Sequence, residues 1–219
     1  FLGNGREVTQ AAFFTATFSV MGYLAKADGH VSTAEVRVAE RLMDDMRLDA
    51  RQRQTAIELF NRGKSGDFPL EAVLDQFRRE CQRRTTLLRM FLEIQVQAAL
   101  ADGRIDPAEN TVLTQVAQAL GFDPGDVQRL IDFISGGTND AGRETQSVDS
   151  AYQVLGVDST ASDNNIKKTY RRLMNQHHPD KMVARGMPEE MIKLATEKTQ
   201  GIQKAWEVVR EHRAKQVIR

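Results

Sequence analysis

A nine-residue pattern occurs twice in this chain and constrains its fold more than any other feature. Ala27-Asp28-Gly29-His30-Val31-Ser32-Thr33-Ala34-Glu35 returns 74 positions later as Ala101-Asp102-Gly103-Arg104-Ile105-Asp106-Pro107-Ala108-Glu109. The correspondence continues through Val38 and Val112, Met46 and Leu120, and Asp49 and Asp123. A duplication of this kind marks one supersecondary unit used twice. Gly29 and Gly103 suit the left-handed conformation that closes a helix. Ser32 with Glu35, and Asp106 with Glu109, have the spacing of a capping box, and Pro107 suits a first helical turn. Each copy follows one apolar helical stretch and precedes another, so the unit is a helix–turn–helix written twice.

The neighbouring segments are also helical by pattern: 51–64, 70–82, 85–101 and about 125–135. Leu87, Met90, Phe91, Ile94 and Ala98 recur at three- and four-residue steps and form one buried stripe. Runs alternating with period two are scarce, so the expected fold class is all-α. Val8 to Ala25 is uncharged over 18 residues, about the shortest length that spans a bilayer. Thr9, Gln10, Thr15, Thr17 and Ser19 make it too polar for a bilayer centre and suit it to a buried helix. The acidic turns do not form a calcium loop. Gly29 directly follows Asp28, and Glu35 comes too early for the bidentate twelfth position. His30 lies in a turn and reads as a solvated loop residue. The doubled Ala-Asp-Gly turn on a helical scaffold resembles the tellurite-resistance TerB-like domain, over about Arg6 to Ser135. That resemblance implies an all-helical fold and no established chemistry.

Charge divides the chain. The 30 basic and 30 acidic residues cancel overall, which argues against nucleic acid as a partner. From Ser150 onward there are 13 Lys/Arg against 8 Asp/Glu, leaving 17 against 22 before it. Between these parts, residues 135–147 are small, polar and aperiodic, the composition of a linker. The expected organisation is a helical domain over 1–134, a flexible linker over 135–149 and a second domain over 150–219. Cys81 is the single cysteine, so no internal disulfide, thiolate zinc cluster or CxxC pair can form, and a reducing compartment follows. No catalytic triad, phosphate loop or metal cluster is evident; no cofactor is expected and the chain does not read as an enzyme.

After residue 150 the pattern is a short helix ending at Gly156, a helix from about Asp163 capped by Ser162 or Asp163, and a long helix from Glu189 to about Arg213. On a helical wheel Ile166, Tyr170, Leu173 and His177 share a core-facing sector with Met174 at its border. Lys167, Arg171 and His178 align on another side, with Lys168 and Arg172 beyond. Lys167 with Arg171, and Lys168 with Arg172, are like charges at i,i+4, each costing a helix about 0.2–0.5 kcal/mol. An acidic partner surface would explain that bias better than solubility does. His178-Pro179-Asp180 ends the helix, Pro179 stopping it and holding two polar side chains apart in an exposed corner. A His/Asp general-base pair would need a nucleophile or pocket nearby. A metal site fails because adjacent histidines point to different faces. A recognition corner needs only exposure and rigidity.

Residues 152–157 (Tyr-Gln-Val-Leu-Gly-Val), 166–173 (Ile-Lys-Lys-Thr-Tyr-Arg-Arg-Leu), His178-Pro179-Asp180-Lys181 and 202–207 (Ile-Gln-Lys-Ala-Trp-Glu) resemble the J-domain of DnaJ/Hsp40 co-chaperones. The pattern departs where Thr199 replaces the usual aromatic and Trp206 the usual tyrosine, and in a longer insert over 182–188. The resemblance implies an Hsp70 partner, DnaK in bacteria, whose slow ATP hydrolysis is stimulated by docking. It implies that His178, Pro179, Asp180, Lys181, Lys167, Lys168, Arg171 and Arg172 form the contact. A TerB-like domain joined to a J-domain resembles membrane-anchored DnaJ-like co-chaperones of Gram-negative bacteria. That implies an inner-membrane location through one N-terminal span, expected ahead of Phe1, with the body facing the cytoplasm. The TerB-like domain would recruit an unknown client or membrane-associated partner, and a membrane segment would also allow a homodimer. The alternative function is a membrane-associated scaffold whose main binding module is the TerB-like domain.

Overall fold

The computed structural model describes residues 3–27, 29–81, 84–138, 148–184 and 189–217. Among them every regular element is helical: α1 (Gly3–Ala25), α2 (Thr33–Asp45), α3 (Ala50–Gly63), α4 (Leu70–Cys81), α5 (Thr85–Ala99), α6 (Pro107–Ala119), α7 (Pro124–Thr138), α8 (Val148–Leu155), α9 (Asp163–His177), α10 (Pro179–Ala184) and α11 (Glu189–Val217). The all-α expectation holds. The chain divides into two compact units, Phe1–Ile131 and Asp132–Arg219. The segment 135–149, read as a linker, is helical at both ends, since α7 continues to Thr138 and α8 begins at Val148; residues 139–147 lie outside the described residues.

In the first unit the two repeat copies have matching local structure. Ser32 caps α2 and Asp106 caps α6, each in a complete capping box with Glu35 or Glu109. Gly29 and Gly103 take φ of 91° and 90°. The copies also close alike: Leu48 N–H donates to the Met43 carbonyl and Phe122 N–H to the Ala117 carbonyl, at 3.0 and 2.9 Å. This is a Schellman closure, which needs a left-handed residue just past the helix. Gly121 fills that position in the second copy at φ 84°, whereas in the first copy Arg47 fills it at φ 50°.

Helix α1 is the core helix of this unit and packs on α3, α4 and α5. Phe13, Phe18, Val20, Met21 and Leu24 are buried, and so are Thr9, Thr17 and Ser19. Two of the polar side chains that make α1 unsuited to lipid are satisfied here by backbone: Thr9 donates to the Glu80 carbonyl and Ser19 to the Thr15 carbonyl, whereas the buried Thr17 hydroxyl has no hydrogen-bond partner among the described residues. Glu7–Ala25 is long and apolar enough to cross a membrane by length and composition, but 67% of that stretch is buried in the fold. Phe13, Phe77 and Phe91 form a three-ring cluster with centroids 4.8–6.4 Å apart. α1 and α3 cross with their backbones in contact. A Cβ on Gly22 would strike the Phe60 carbonyl, and one on Gly63 the Ser19 carbonyl. Helix α5 departs from the single-stripe expectation: Leu88, Leu92, Gln95, Val96 and Ala99 are buried besides Leu87, Met90, Phe91 and Ala98. Cys81 is fully buried, and desolvation pushes its thiol up to about 12.

The second unit is smaller. Ala151, Tyr152, Leu155, Ile166, Ile202, Ala205 and Val209 form its core, with Tyr170, Leu173, Met174 and Trp206 packed against it. Thr199 is buried and its hydroxyl donates to the Ala195 carbonyl at 2.7 Å, filling with a small residue the place an aromatic would occupy. Arg213 ties the unit together. Its guanidinium donates to the Tyr152 hydroxyl at 2.6 Å and to the Ser159 and Ala161 carbonyls at 2.7 and 2.8 Å. It also lies 3.4 Å from the Asp163 carboxylate. One side chain of α11 therefore fastens α8, the following turn and the start of α9.

Candidate functional site

Helix α9 begins at Ser162, whose hydroxyl accepts from Asn165 N–H. From that end, Ile166 points inward and is 1% exposed. Tyr170 stacks on Trp206 with centroids 4.8 Å apart and planes at 13°. Burial of this face fixes the rotation of the helix, so the side chains roughly 100–140° away must face solvent. Lys167, Lys168, Arg171 and Arg172 are all exposed. Among the described residues none of the four has an ion-pair partner. Four cations thus stand within two turns with no neutralising partner, which raises the potential over that face.

The helix ends at His178, which adopts φ −63° and ψ 122°. That extended geometry is what a following proline requires. The chain then differs from expectation. Pro179 does not lead into a loop; it opens α10, a short helix to Ala184. Proline is disfavoured inside a helix but favoured at its first position, so one residue ends α9 and starts α10. His178 serves as the cap of the new helix: Asp180 N–H donates to His178 Nδ1 at 3.2 Å. With Nδ1 accepting, the neutral ring carries its proton on Nε2, which remains a donor for another molecule. The His178 side chain is 43% exposed and that of Asp180 89%, with Nδ1 and the carboxylate 3.9 Å apart. The corner is therefore a rigid pair: an imidazole held by a backbone hydrogen bond, and a carboxylate standing in water at the start of a helix.

Of the eight sequence-predicted residues, seven lie on α9 and at the α9–α10 junction as described; the side chain of Lys181 lies outside the described residues, as does that of His177, read as core-facing. No nucleophile adjoins the His178–Asp180 pair among the described residues, and no group of three or more His, Cys, Asp or Glu there is disposed to hold a metal. What the arrangement offers is recognition by charge and shape. Arg213 was not legible as the hub beneath it; the available signal was the Tyr152 hydroxyl on a short apolar helix, which needs a buried partner.

A hairpin of α9 and α11 braced by α8, with a basic face leading to a His-Pro-Asp corner, defines a J-domain protein. The family comparisons agree. Residues 14–132 match the tellurite resistance protein TerB and residues 150–217 the DnaJ domain. The co-chaperone protein DjlA of Shewanella oneidensis is 44% identical over 217 residues, covering 97% of this chain and 82% of the relative. DjlA of Escherichia coli K12 is 41% identical over 224 residues, with 96% and 82% covered. DjlA of Coxiella burnetii is 44% identical over 213 residues, with 94% and 79% covered. No solved structure matches the chain. The chain belongs to the DjlA family of J-domain co-chaperones.

Proposed function

We propose that this chain stimulates ATP hydrolysis by an Hsp70, DnaK in bacteria, by docking the α9 face and the His178-Pro179-Asp180 corner on it, and that it catalyses no reaction itself. The observation that carries the reading is the set Lys167, Lys168, Arg171 and Arg172: exposed, without ion pairs among the described residues, and on the helix that ends at the corner. Such a face attracts an acidic surface and raises the encounter rate. Once docked, His178 Nε2–H and the Asp180 carboxylate supply directional contacts from a backbone that Pro179 holds rigid. Stimulation then requires only that these contacts be stronger with the hydrolysis-competent conformation of the partner than with the resting one. No proton need pass through His178. Lys181 belongs to the same contact by its place beside Asp180 in the motif.

The first unit is the module that recruits a client or a membrane-associated partner. Its surroundings are the cytoplasmic face of the inner membrane. The experiment is single-turnover ATP hydrolysis by the DnaK of the same organism, with and without this chain. A several-fold faster rate at saturating chain supports the reading; no acceleration by folded chain rejects it.

A further inference from the structure

Trp206 is the only tryptophan in the chain. It stacks on Tyr170 yet remains half-buried, and it lines a cavity of about 360 Å³ between the first turn of α9 and the later part of α11. Ile166, Trp206 and Val209 give this cavity an apolar floor, and Lys167, Arg210 and Arg213 stand at its rim. Among the described residues Asp163 is the only acidic one lining it, and that carboxylate is already paired with Arg213. Lys167 and Arg210 are exposed and have no ion-pair partner among the described residues. Glu207 and Glu211 lie on α11 but do not line the cavity.

We infer that this groove binds an acidic peptide segment, seating one apolar side chain against Trp206 with carboxylates on either side of it. Three features select that occupant. The volume lies near the lower end of ligand pockets, roughly 300–1,000 Å³, and suits one or two apolar side chains. The unneutralised charge at the rim is positive, so the complementary ligand is anionic. The two unpaired cations come from different helices, Lys167 from α9 and Arg210 from α11. A single carboxylate head meets one of them, whereas a peptide with an acidic residue before and after its apolar anchor meets both. The groove is distinct from the His-Pro-Asp corner, which lies at the opposite end of α9, about 16 Å along the axis from Lys167 to His178 at 1.5 Å per residue.

Because Trp206 is the sole tryptophan, its emission reads this site alone, and neither probe nor readout involves Hsp70. The test titrates the chain with the acetylated, amidated peptide Asp-Glu-Leu-Asp-Glu. The comparisons are Lys-Lys-Leu-Lys-Lys, decanoate, and the variant Arg210→Glu, an exposed position where folding is checked by circular dichroism. The expected result is a saturable emission change with the acidic peptide and binding at least about tenfold weaker for the basic one. Arg210→Glu should weaken the acidic peptide by a similar factor, and added salt should reduce its affinity as the Debye length shortens. The inference is overturned by no saturable change up to about 1 mM, the weak end of specific recognition. It is equally overturned by equal binding of the two peptides, by undiminished binding to folded Arg210→Glu, or by binding of decanoate alone.

Discussion

In the first unit the polar residues at the starts of α2, α3, α6 and α7 are turned onto the backbone. Ser32 with Glu35, Asp49 with Gln52, and Asp106 with Glu109 each close a reciprocal capping box. Asp123 and Asp126 make the same kind of exchange at the start of α7. In the second unit α9 has one cap, Ser162, no capping box, and four exposed cations in two turns. The first unit uses its polar residues to finish helices around a crowded core. On α9 the second leaves four cations without an ion-pair partner among the described residues, at a cost of about 0.2–0.5 kcal/mol for each like-charged i,i+4 pair. An acidic partner surface would offset that cost.

The units also carry separate probes. Cys81 is in the first and Trp206 in the second, each the only residue of its kind. Thiol labelling therefore follows opening of one unit while tryptophan emission follows the other. The largest effect should come from Gly63→Ala. Its Cβ would meet the Ser19 backbone carbonyl, and backbone cannot give way as a side chain can. A loss of about 3 kcal/mol or more is expected. Cys81, buried and with its thiol pushed up to about 12, should then react with a thiol reagent that spares the wild type. Trp206 unfolding should not move. Labelling that stays as slow as in the wild type would mean α1 and α3 can separate without harm.

Arg213→Ala should reverse that pattern. It removes the hydrogen bonds to Tyr152, Ser159 and Ala161 and leaves the Tyr152 hydroxyl without this partner. A loss of about 2–3 kcal/mol is expected, seen in Trp206 denaturation and not in Cys81 reactivity. Loss in both probes would show that the units do not unfold separately.

A smaller change is expected for Lys168→Glu or Arg171→Glu. Both positions are exposed, so stability should shift by no more than about 0.5 kcal/mol. DnaK association, measured by stopped flow, should slow by about tenfold at low salt and by less as salt screens the face. A loss of binding that ignores salt would point to damaged structure instead of lost steering. The smallest effect is a gain. Arg47 holds a left-handed conformation where the second repeat copy has Gly121, so Arg47→Gly should stabilise the first unit by about 0.5–1 kcal/mol. A melting temperature that falls would show the Arg47 side chain contributes more than its backbone costs.

Much of this was legible in the sequence because it is local. Capping boxes, left-handed glycines and the wheel of α9 depend on residues within a few positions of each other. The repeat made the α2 and α6 turns readable twice over. What escaped depends on distance or on a residue with two meanings. Pro179 reads as a stop, and the same ring is the preferred first residue of a helix, so α10 was missed. Helix α5 reads as one stripe because the pattern assumes water on the other side, where α1, α2, α4 and α6 in fact pack around it. Arg213 reaches Ser159 across 54 positions and Tyr152 across 61, and no spacing rule spans that. Trp206 was legible as a departure in packing but not as the wall of a groove, since a cavity belongs to two helices at once.

The most direct test concerns His178, the residue assigned to partner contact without a part in packing. Asparagine at this position is a strong helix cap, so His178→Asn keeps the start of α10 while removing the imidazole donor. Single-turnover ATP hydrolysis by DnaK would be measured with saturating wild type, His178→Asn and Asp180→Asn, beside Trp206 unfolding curves for each. The account expects both variants to leave hydrolysis at the unstimulated rate while stability stays within about 0.5 kcal/mol of wild type. Full stimulation by His178→Asn, or loss of stimulation that comes only with loss of the folded second unit, would contradict it.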